Sequence, residues 1–415
     1  MFTQLLVTVT LAILSAASPL VVRNSPITLP LTRRMNVTGT KTLLVRDQAR
    51  AKGFLSGRST KIPSSTKEAA AAASTFPVAA TDLATIYTAE LQVGNPPKAF
   101  NLIIDTGSSN TWVGADTANR FQSSSTTKQT GELVEVTYGS GFVFGSVVQD
   151  QVALGDLVIS GQELGSAILS EGFDGVDGIV GIGPTDLTED TTTAGGTVPT
   201  VTDNAFTQGL IPTKEIGISF APSNSTEAVT NGQLTFGGID PNAFVGDITF
   251  VPITSTSPSS EFVGIDQSIT YGTANTPVLA QTAGIADTGT TLILIASDAF
   301  ATYQELTGGV MDETVGLLSI TPAQFANLQS LFFNIGGTAF ELTPNAQIFP
   351  RTLNTALGGS ADDIFLIVSD LGTNSGSGMD FIDGFAFLER FFFVWDASTP
   401  RAGFAQTQFT FAEVN

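Results

Sequence analysis

One octapeptide occurs twice in this 415-residue chain, and that duplication limits the fold more than any other feature. Leu102-Ile103-Ile104-Asp105-Thr106-Gly107-Ser108-Ser109 recurs as Gly284-Ile285-Ala286-Asp287-Thr288-Gly289-Thr290-Thr291. In each copy apolar residues run into Asp-Thr-Gly, and hydroxyl residues follow. Each copy also has an apolar segment downstream. These are Asp177-Gly178-Ile179-Val180-Gly181 and Phe381-Ile382-Asp383-Gly384-Phe385. A single Asp-Thr-Gly is ordinary turn chemistry. Two matched copies so far apart indicate a duplicated lobe. Two such lobes can bring their loops together across a pseudo-twofold axis, so that two carboxylates face one another.

Composition narrows the chemistry. The chain has no His and no Cys. A Ser-His-Asp triad, a Cys nucleophile and the usual zinc hydrolase sites are therefore excluded. Acid–base work falls mainly to carboxylates. With 42 Gly, 42% hydrophobic and 13% charged residues, the chain suits many short strands joined by turns.

Charge divides the chain in two. Residues 18–72 hold ten Lys/Arg and only two acids, Asp47 and Glu68, whereas the remainder holds seven Lys/Arg against 36 acids. The acidic body argues against a nucleic-acid partner. Residues 1–17 read as a signal peptide, with a short apolar run from Leu5 to Leu14 and Ser15-Ala16-Ala17 for cleavage. That run is too short for a membrane span. The expectation is a secreted, soluble protein. Residues 18–73 then read as a basic pro-segment, 74–245 as a first lobe and 246–415 as a second.

Local patterns place further elements. Leu133–Tyr138 alternates, Gly139-Ser140-Gly141 permits a tight reversal, and Phe142-Val143-Phe144 returns, which predicts a hairpin with Tyr138 near its tip. Helices are predicted over Asp203–Gln208, stopped by Gly209, and over Asp298–Leu306, capped by Ser297 and stopped by Gly308-Gly309. Thr321-Pro322-Ala323-Gln324 is a capping box that opens a helix through Leu331.

Paired carboxylates have a definite use. Two of them in close contact cannot both ionise easily, so the pair keeps one proton through a range of acidic pH. The ionised member takes a proton from a water held between them, and that water attacks a peptide carbonyl. The protonated member donates to the carbonyl oxygen. Gly107 and Gly289 let backbone N–H groups approach the carboxylates, and Ser108 and Thr290 can donate to the outer oxygens.

Over residues 83–411, these motifs in this order resemble the pepsin family. Asp105-Thr106-Gly107-Ser108-Ser109-Asn110-Thr111-Trp112, Tyr138-Gly139-Ser140-Gly141 and Asp287-Thr288-Gly289-Thr290-Thr291 match its two active-site motifs and its flap. Leu234–Asp240 and Arg401–Phe404 match further family strands. The Cys-free chain and Phe387-Leu388-Glu389-Arg390-Phe391 look closest to the polyporopepsin-type basidiomycete branch. The resemblance implies a mainly β, bilobal fold with a few short helices. It implies catalysis by Asp105 and Asp287, supported by Thr106, Ser108, Trp112 and Thr288. Substrate binding is implied for Tyr138, Gly139, Ser140, Gly107, Gly289, Thr290, Thr291, Ile103 and Ile179. Tyr138 would sit on a flap with its hydroxyl near Trp112. Polypeptide substrates and pepstatin-type inhibitors follow, with no cofactor or metal, and a monomer is expected. In the precursor a pro-segment cation would block the dyad, with Lys52 the candidate and Lys61 the alternative. Asp383 departs from the family pattern, which has an apolar residue there. Asn224 lies in a glycosylation sequon that the mature chain would keep. The alternative function is an inert binding or inhibitor protein on the same fold, but such proteins show damage at one motif or at the flap, and both are intact here.

Overall fold

A computed structural model describes residues 25–36, 42–56, 84–139 and 141–415. Residues 1–17, read as a signal peptide, the end of the expected pro-segment at residue 73, Lys61 and Ser140 lie outside the described residues.

The described chain is mostly strand, arranged in a 13-stranded sheet, a seven-stranded sheet and a small two-stranded one. In the large sheet, β2 (Ala84–Val93) and β3 (Lys98–Asp105) form a hairpin. β3 then runs parallel to β8 (Gly178–Gly181), and β8 lies antiparallel to β4 (Thr111–Val113). The second sheet repeats this pattern. β12 (Gly264–Tyr271) pairs with β13 (Thr276–Ala286), β13 runs parallel to β20 (Phe381–Asp383), and β20 lies antiparallel to β14 (Ile293–Ile295). Each aspartate thus follows the same strand, beside the same parallel neighbour, as the duplicated octapeptide and its downstream segments require. β3 and β8 are buried on both faces around the site, and their Leu, Ile and Val runs match that environment.

The two halves are also tied together. β9 (Glu215–Ser219), β10 (Val229–Phe236), β11 (Val245–Pro252), β21 (Phe391–Asp396) and β22 (Arg401–Gln406) continue the large sheet, so β21 from the chain's end pairs with β9. The lobe boundary expected at 245/246 falls at the first residue of β11.

The basic arm is built into this architecture. β1 (Ile27–Asn36) inserts between β10 and β2, antiparallel to both. Its alternation puts Ile27, Leu29 and Leu31 into the core. Arg34 Nε donates to Thr88 Oγ1 at 3.1 Å, and Arg33 Nη1 donates to the Ser225 carbonyl at 3.0 Å. Helix α1 (Leu43–Ser56) follows.

The hairpin forms as read, with Val136 opposite Val143 and Tyr138 opposite Gly141, although its strands are longer: β5 (Lys128–Tyr138) and β6 (Gly141–Leu154). The first predicted helix is α2 (Val201–Thr207), which starts earlier because Thr200 and Asp203 form a capping box. The second is α3 (Ser297–Thr307), which ends at Gly308 in the left-handed conformation, φ 69°. Ser297 does not cap it, because its hydroxyl donates to Asp370 Oδ1 at 2.6 Å. The third, α4 (Pro322–Phe325), has its capping box but does not continue to Leu331. Asn327 Nδ2 takes the Ala323 carbonyl at 2.7 Å, the chain tightens into i→i−3 bonds, and Leu331 opens β17 (Leu331–Ile335) against β12. Among the described residues, no helix is long and apolar enough to cross a membrane.

Candidate active site

Asp105 and Asp287 end β3 and the β13 segment and lie fully buried at the junction of the lobes. Their surroundings are nearly superimposable. Gly107 N–H donates to Asp105 Oδ1 and Gly289 N–H to Asp287 Oδ1, each at 3.1 Å. Ser108 Oγ donates to Asp105 Oδ2 and Thr290 Oγ1 to Asp287 Oδ2, each at 2.5 Å. Both glycines are needed for the close approach. A Cβ on Gly107 would lie 2.6 Å from Asp287 Oδ1, and one on Gly289 would lie 2.6 Å from Asp105 Oδ1.

The two threonines lock the loops to each other. Thr106 N–H donates to Thr288 Oγ1 and Thr288 N–H to Thr106 Oγ1, each at 3.0 Å. Each hydroxyl then donates across the lobes. Thr106 Oγ1 reaches the Ala286 carbonyl at 3.2 Å, and Thr288 Oγ1 reaches the Ile104 carbonyl at 2.8 Å. All four groups are buried, so every donor and acceptor here needs its partner.

Tyr138 stands at the hairpin tip. Trp112 Nε1–H donates to its hydroxyl at 2.9 Å, and Phe173 packs edge-on against both rings. Ile103 and Ile179 belong to the same buried apolar cluster, below Tyr138. Thr291 follows Thr290 on the second loop and is buried. Asn224, by contrast, is exposed.

Helix α1 lies against the site, and among the described residues Arg50 is the cation that reaches the two aspartates. Its Nε donates to Asp287 Oδ2 at 2.7 Å, and its Nη2 donates to Asp287 Oδ1 at 3.0 Å and to Asp105 Oδ1 at 2.5 Å. The sequence reading favoured Lys52, which is exposed. The reason is helical phase. Leu43, Arg46, Asp47, Arg50 and Ala51 form the buried face, and a residue two places past Arg50 points about 200° around the axis. Arg also suits the position because its planar fork grips one carboxylate through two N–H groups and still reaches the other. The 3–4 spacing of these residues was visible in the sequence and would have selected Arg50.

Other α1 contacts fix its register. Asp47, also missed, accepts the N–H groups of Thr291 at 3.0 Å and Leu292 at 2.8 Å through Oδ2. Arg46 Nη1 donates to its other oxygen at 3.2 Å. Phe54 lies under the Arg50 guanidinium, 4.9 Å from its carbon, and against Phe262 with ring centroids 4.8 Å apart. Gly53 lies within the helix, at a cost of about 1 kcal/mol relative to Ala. Its reason is the hairpin tip: a Cβ there would lie 2.9 Å from Gly139 Cα, and one on Gly139 would lie 1.9 Å from the Ala49 carbonyl oxygen.

Electrostatics follows from this packing. Burial raises the pKa of both dyad carboxyls, and Arg50 lowers both. Asp287, held by two guanidinium N–H groups, ends below the usual range. Asp105 ends above it, because the Asp287 charge adds to burial. Burial disfavours the Arg50 charge, but the two carboxylates more than compensate and raise its pKa. Burial pushes Asp47 up to about 6, against Arg46 and the two backbone N–H groups. Asp383 is also fully buried, and burial pushes it up to about 8 against the lowering bond from Gln267.

Two equivalent loops that bring paired carboxylates to a lobe junction define an aspartic peptidase. A family model described as eukaryotic aspartyl protease matches residues 86–407, and the chain belongs to that family. It is an aspartic endopeptidase. Polyporopepsin from Irpex lacteus is 54% identical to it over 340 residues, covering 81% of this chain and 99% of that protein. The vacuolar aspartic protease of Candida albicans is 31% identical, covering 78% and 75%. The crystal structure of the aspartic proteinase from Irpex lacteus matches with a TM-score of 0.77 at 55% identity, over 80% of this chain and 96% of that one.

Proposed function

We propose that the chain is the inert precursor of a secreted acid endopeptidase, in which residues 18–73 silence the Asp105–Asp287 pair until they are cleaved away. The observation that carries this reading is the three-bond contact of Arg50 with both carboxylates. A guanidinium in that position excludes the attacking water and the substrate carbonyl, and it holds Asp287 in its ionised form.

Once the helix leaves, the two carboxylates face one another without a cation and hold one proton between them in acid. The ionised member activates a water for attack on the peptide carbonyl. The protonated member donates to the carbonyl oxygen and stabilises the tetrahedral intermediate. The Gly107 and Gly289 N–H groups and the Ser108 and Thr290 hydroxyls keep the carboxyl planes fixed. Tyr138, Gly139 and Ser140 close over an extended peptide, and Thr290, Thr291, Ile103 and Ile179 contribute to its binding.

The test is cleavage of a denatured protein in acid after processing, with and without pepstatin. Pepstatin-sensitive cleavage that is lost in both Asp105→Asn and Asp287→Asn is expected. A folded, processed chain that cleaves nothing would favour an inert binding protein on this fold.

A further inference from the structure

The second catalytic loop rests on a buried polar pair where the first loop rests on an apolar one. Asp383 ends β20, opposite Ala286 on one side and Ile293 on the other, so it sits between the two legs of the loop that carries Asp287. Its carbonyl accepts the Asp287 N–H at 3.1 Å. In the first lobe the residue opposite both Ile104 and Thr111 is Val180, which is fully buried. The side-chain partner of Asp383 is Gln267 on β12, whose Nε2 donates to Oδ1 at 3.1 Å. Gln267 lies opposite Thr282, and the matching residue of the first hairpin is Leu91, opposite Phe100. A Leu–Val pair in one lobe is therefore a Gln–Asp pair in the other, and all four side chains are buried.

Hydrogen-bond counting then assigns a proton. Among the described residues, Asp383 Oδ2 and Gln267 Oε1 both lack a hydrogen-bond partner. While Asp383 is ionised both atoms are acceptors and cannot satisfy one another. A proton on Oδ2 turns that oxygen into a donor, and the acid and the amide can then close a two-bond ring. We propose that Asp383 is a neutral carboxylic acid throughout the acid working range and acts as a positioning residue, its pairing with Gln267 bracing the carbonyl that holds the Asp287 N–H. This rests on the dyad reading above.

Among the described residues, the neighbouring elements bring no counter-charge that would keep Asp383 ionised. β13 brings Ala286, β14 brings Ile293 and the following helix brings Phe385, all apolar. On β12, Asp266 alternates to the face opposite Gln267 and accepts from Thr254 Oγ1 at 2.8 Å. The remaining acid on the loop is Asp287, a like charge. Raising the pH far enough ionises Asp383, leaves a lone carboxylate in a dry site, and removes the brace.

Two measurements test this. In the full-length precursor, the infrared band of a protonated carboxyl is expected at neutral pH, to disappear as pH rises through about 8, and to be missing from Asp383→Asn. In the processed enzyme at acid pH, Asp383→Asn should keep kcat within about twofold, because an amide can still pair with Gln267. Asp383→Val should lower kcat by about fivefold or more at little change in KM, because it strands the Gln267 amide. The double variant Gln267→Leu with Asp383→Val, which copies Leu91 and Val180, should restore kcat. No difference band between wild type and Asp383→Asn would overturn the protonation. An unchanged kcat in a folded Asp383→Val would overturn the positioning role. Pepstatin-sensitive cleavage by the wild type separates either failure from a failure of the dyad reading.

Discussion

Replacing Arg50 by Met keeps the helix and its bulk but removes the cation from the dyad. The guanidinium makes three contacts of 2.5–3.0 Å with two fully buried carboxylates. Removing one partner of a buried ion pair typically costs about 3–5 kcal/mol. Some of that is recovered here, because the freed carboxyls can take up a proton and share it. A net loss of about 3 kcal/mol in docking is expected, roughly a hundredfold shift toward the undocked arm. Arg50→Lys keeps the charge but loses the fork, and should cost about 1–2 kcal/mol. Lys52→Ala, on the exposed face of α1, should change docking by less than about 0.5 kcal/mol. The assay follows purified precursors through a pH series, with cleavage of a reporter peptide and retention of the arm measured together. Arg50→Met should begin processing at a higher pH than wild type, Arg50→Lys should fall between them, and Lys52→Ala should match wild type. If Lys52→Ala released the enzyme as readily as Arg50→Met, or if Arg50→Met stayed as inert as wild type, the assignment of the blocking cation would be wrong.

Asp47 should oppose release in acid rather than trigger it. Its docked pKa is raised from 3.8 to about 6, so its contribution to docking is complete below the lower value and lost as pH rises through the higher. That amounts to about 3 kcal/mol at neutral pH, and Asp47→Asn should therefore slow processing near pH 7 and leave it unchanged near pH 3.5, as measured by precursor half-life. Asp287, whose pKa is lowered, has the opposite sign: its hold on Arg50 exists above the ordinary carboxyl range and is lost as pH falls through its docked value. The threonine lock should respond symmetrically. Thr106→Val strands the Thr288 N–H and the Ala286 carbonyl, and Thr288→Val strands the Thr106 N–H and the Ile104 carbonyl. Each should cost about 2–6 kcal/mol in denaturant unfolding, and the double variant less than the sum, because the two hydroxyls serve one network.

The facing aspartates, the duplicated lobe and the Tyr138 hairpin were legible because each is written in local sequence. A repeated Asp-Thr-Gly with apolar lead-ins and hydroxyl followers states both the loop and its twofold partner. Alternation between Leu133 and Tyr138 with glycines after it states a hairpin. The basic arm was legible from charge alone, but its form was not. Nothing local announces that Ile27–Asn36 is a strand between β10 and β2, since its partners lie about 50 and 200 residues away. Tertiary structure also decided which cation meets the dyad. Arg50 and Lys52 are equivalent by charge and neighbours by number, and their difference in helical phase counts only once α1 docks by the face that carries Leu43, Asp47 and Arg50. It ended α4 early, because Leu331 gains more from pairing with β12 than from one more helical turn. Finally, it placed Gln267 against Asp383. A carboxyl that reads as a packing defect in the sequence becomes half of a buried pair with a partner 116 positions away. Such pairings depend on which distant side chains share a dry interior, and no local pattern encodes that.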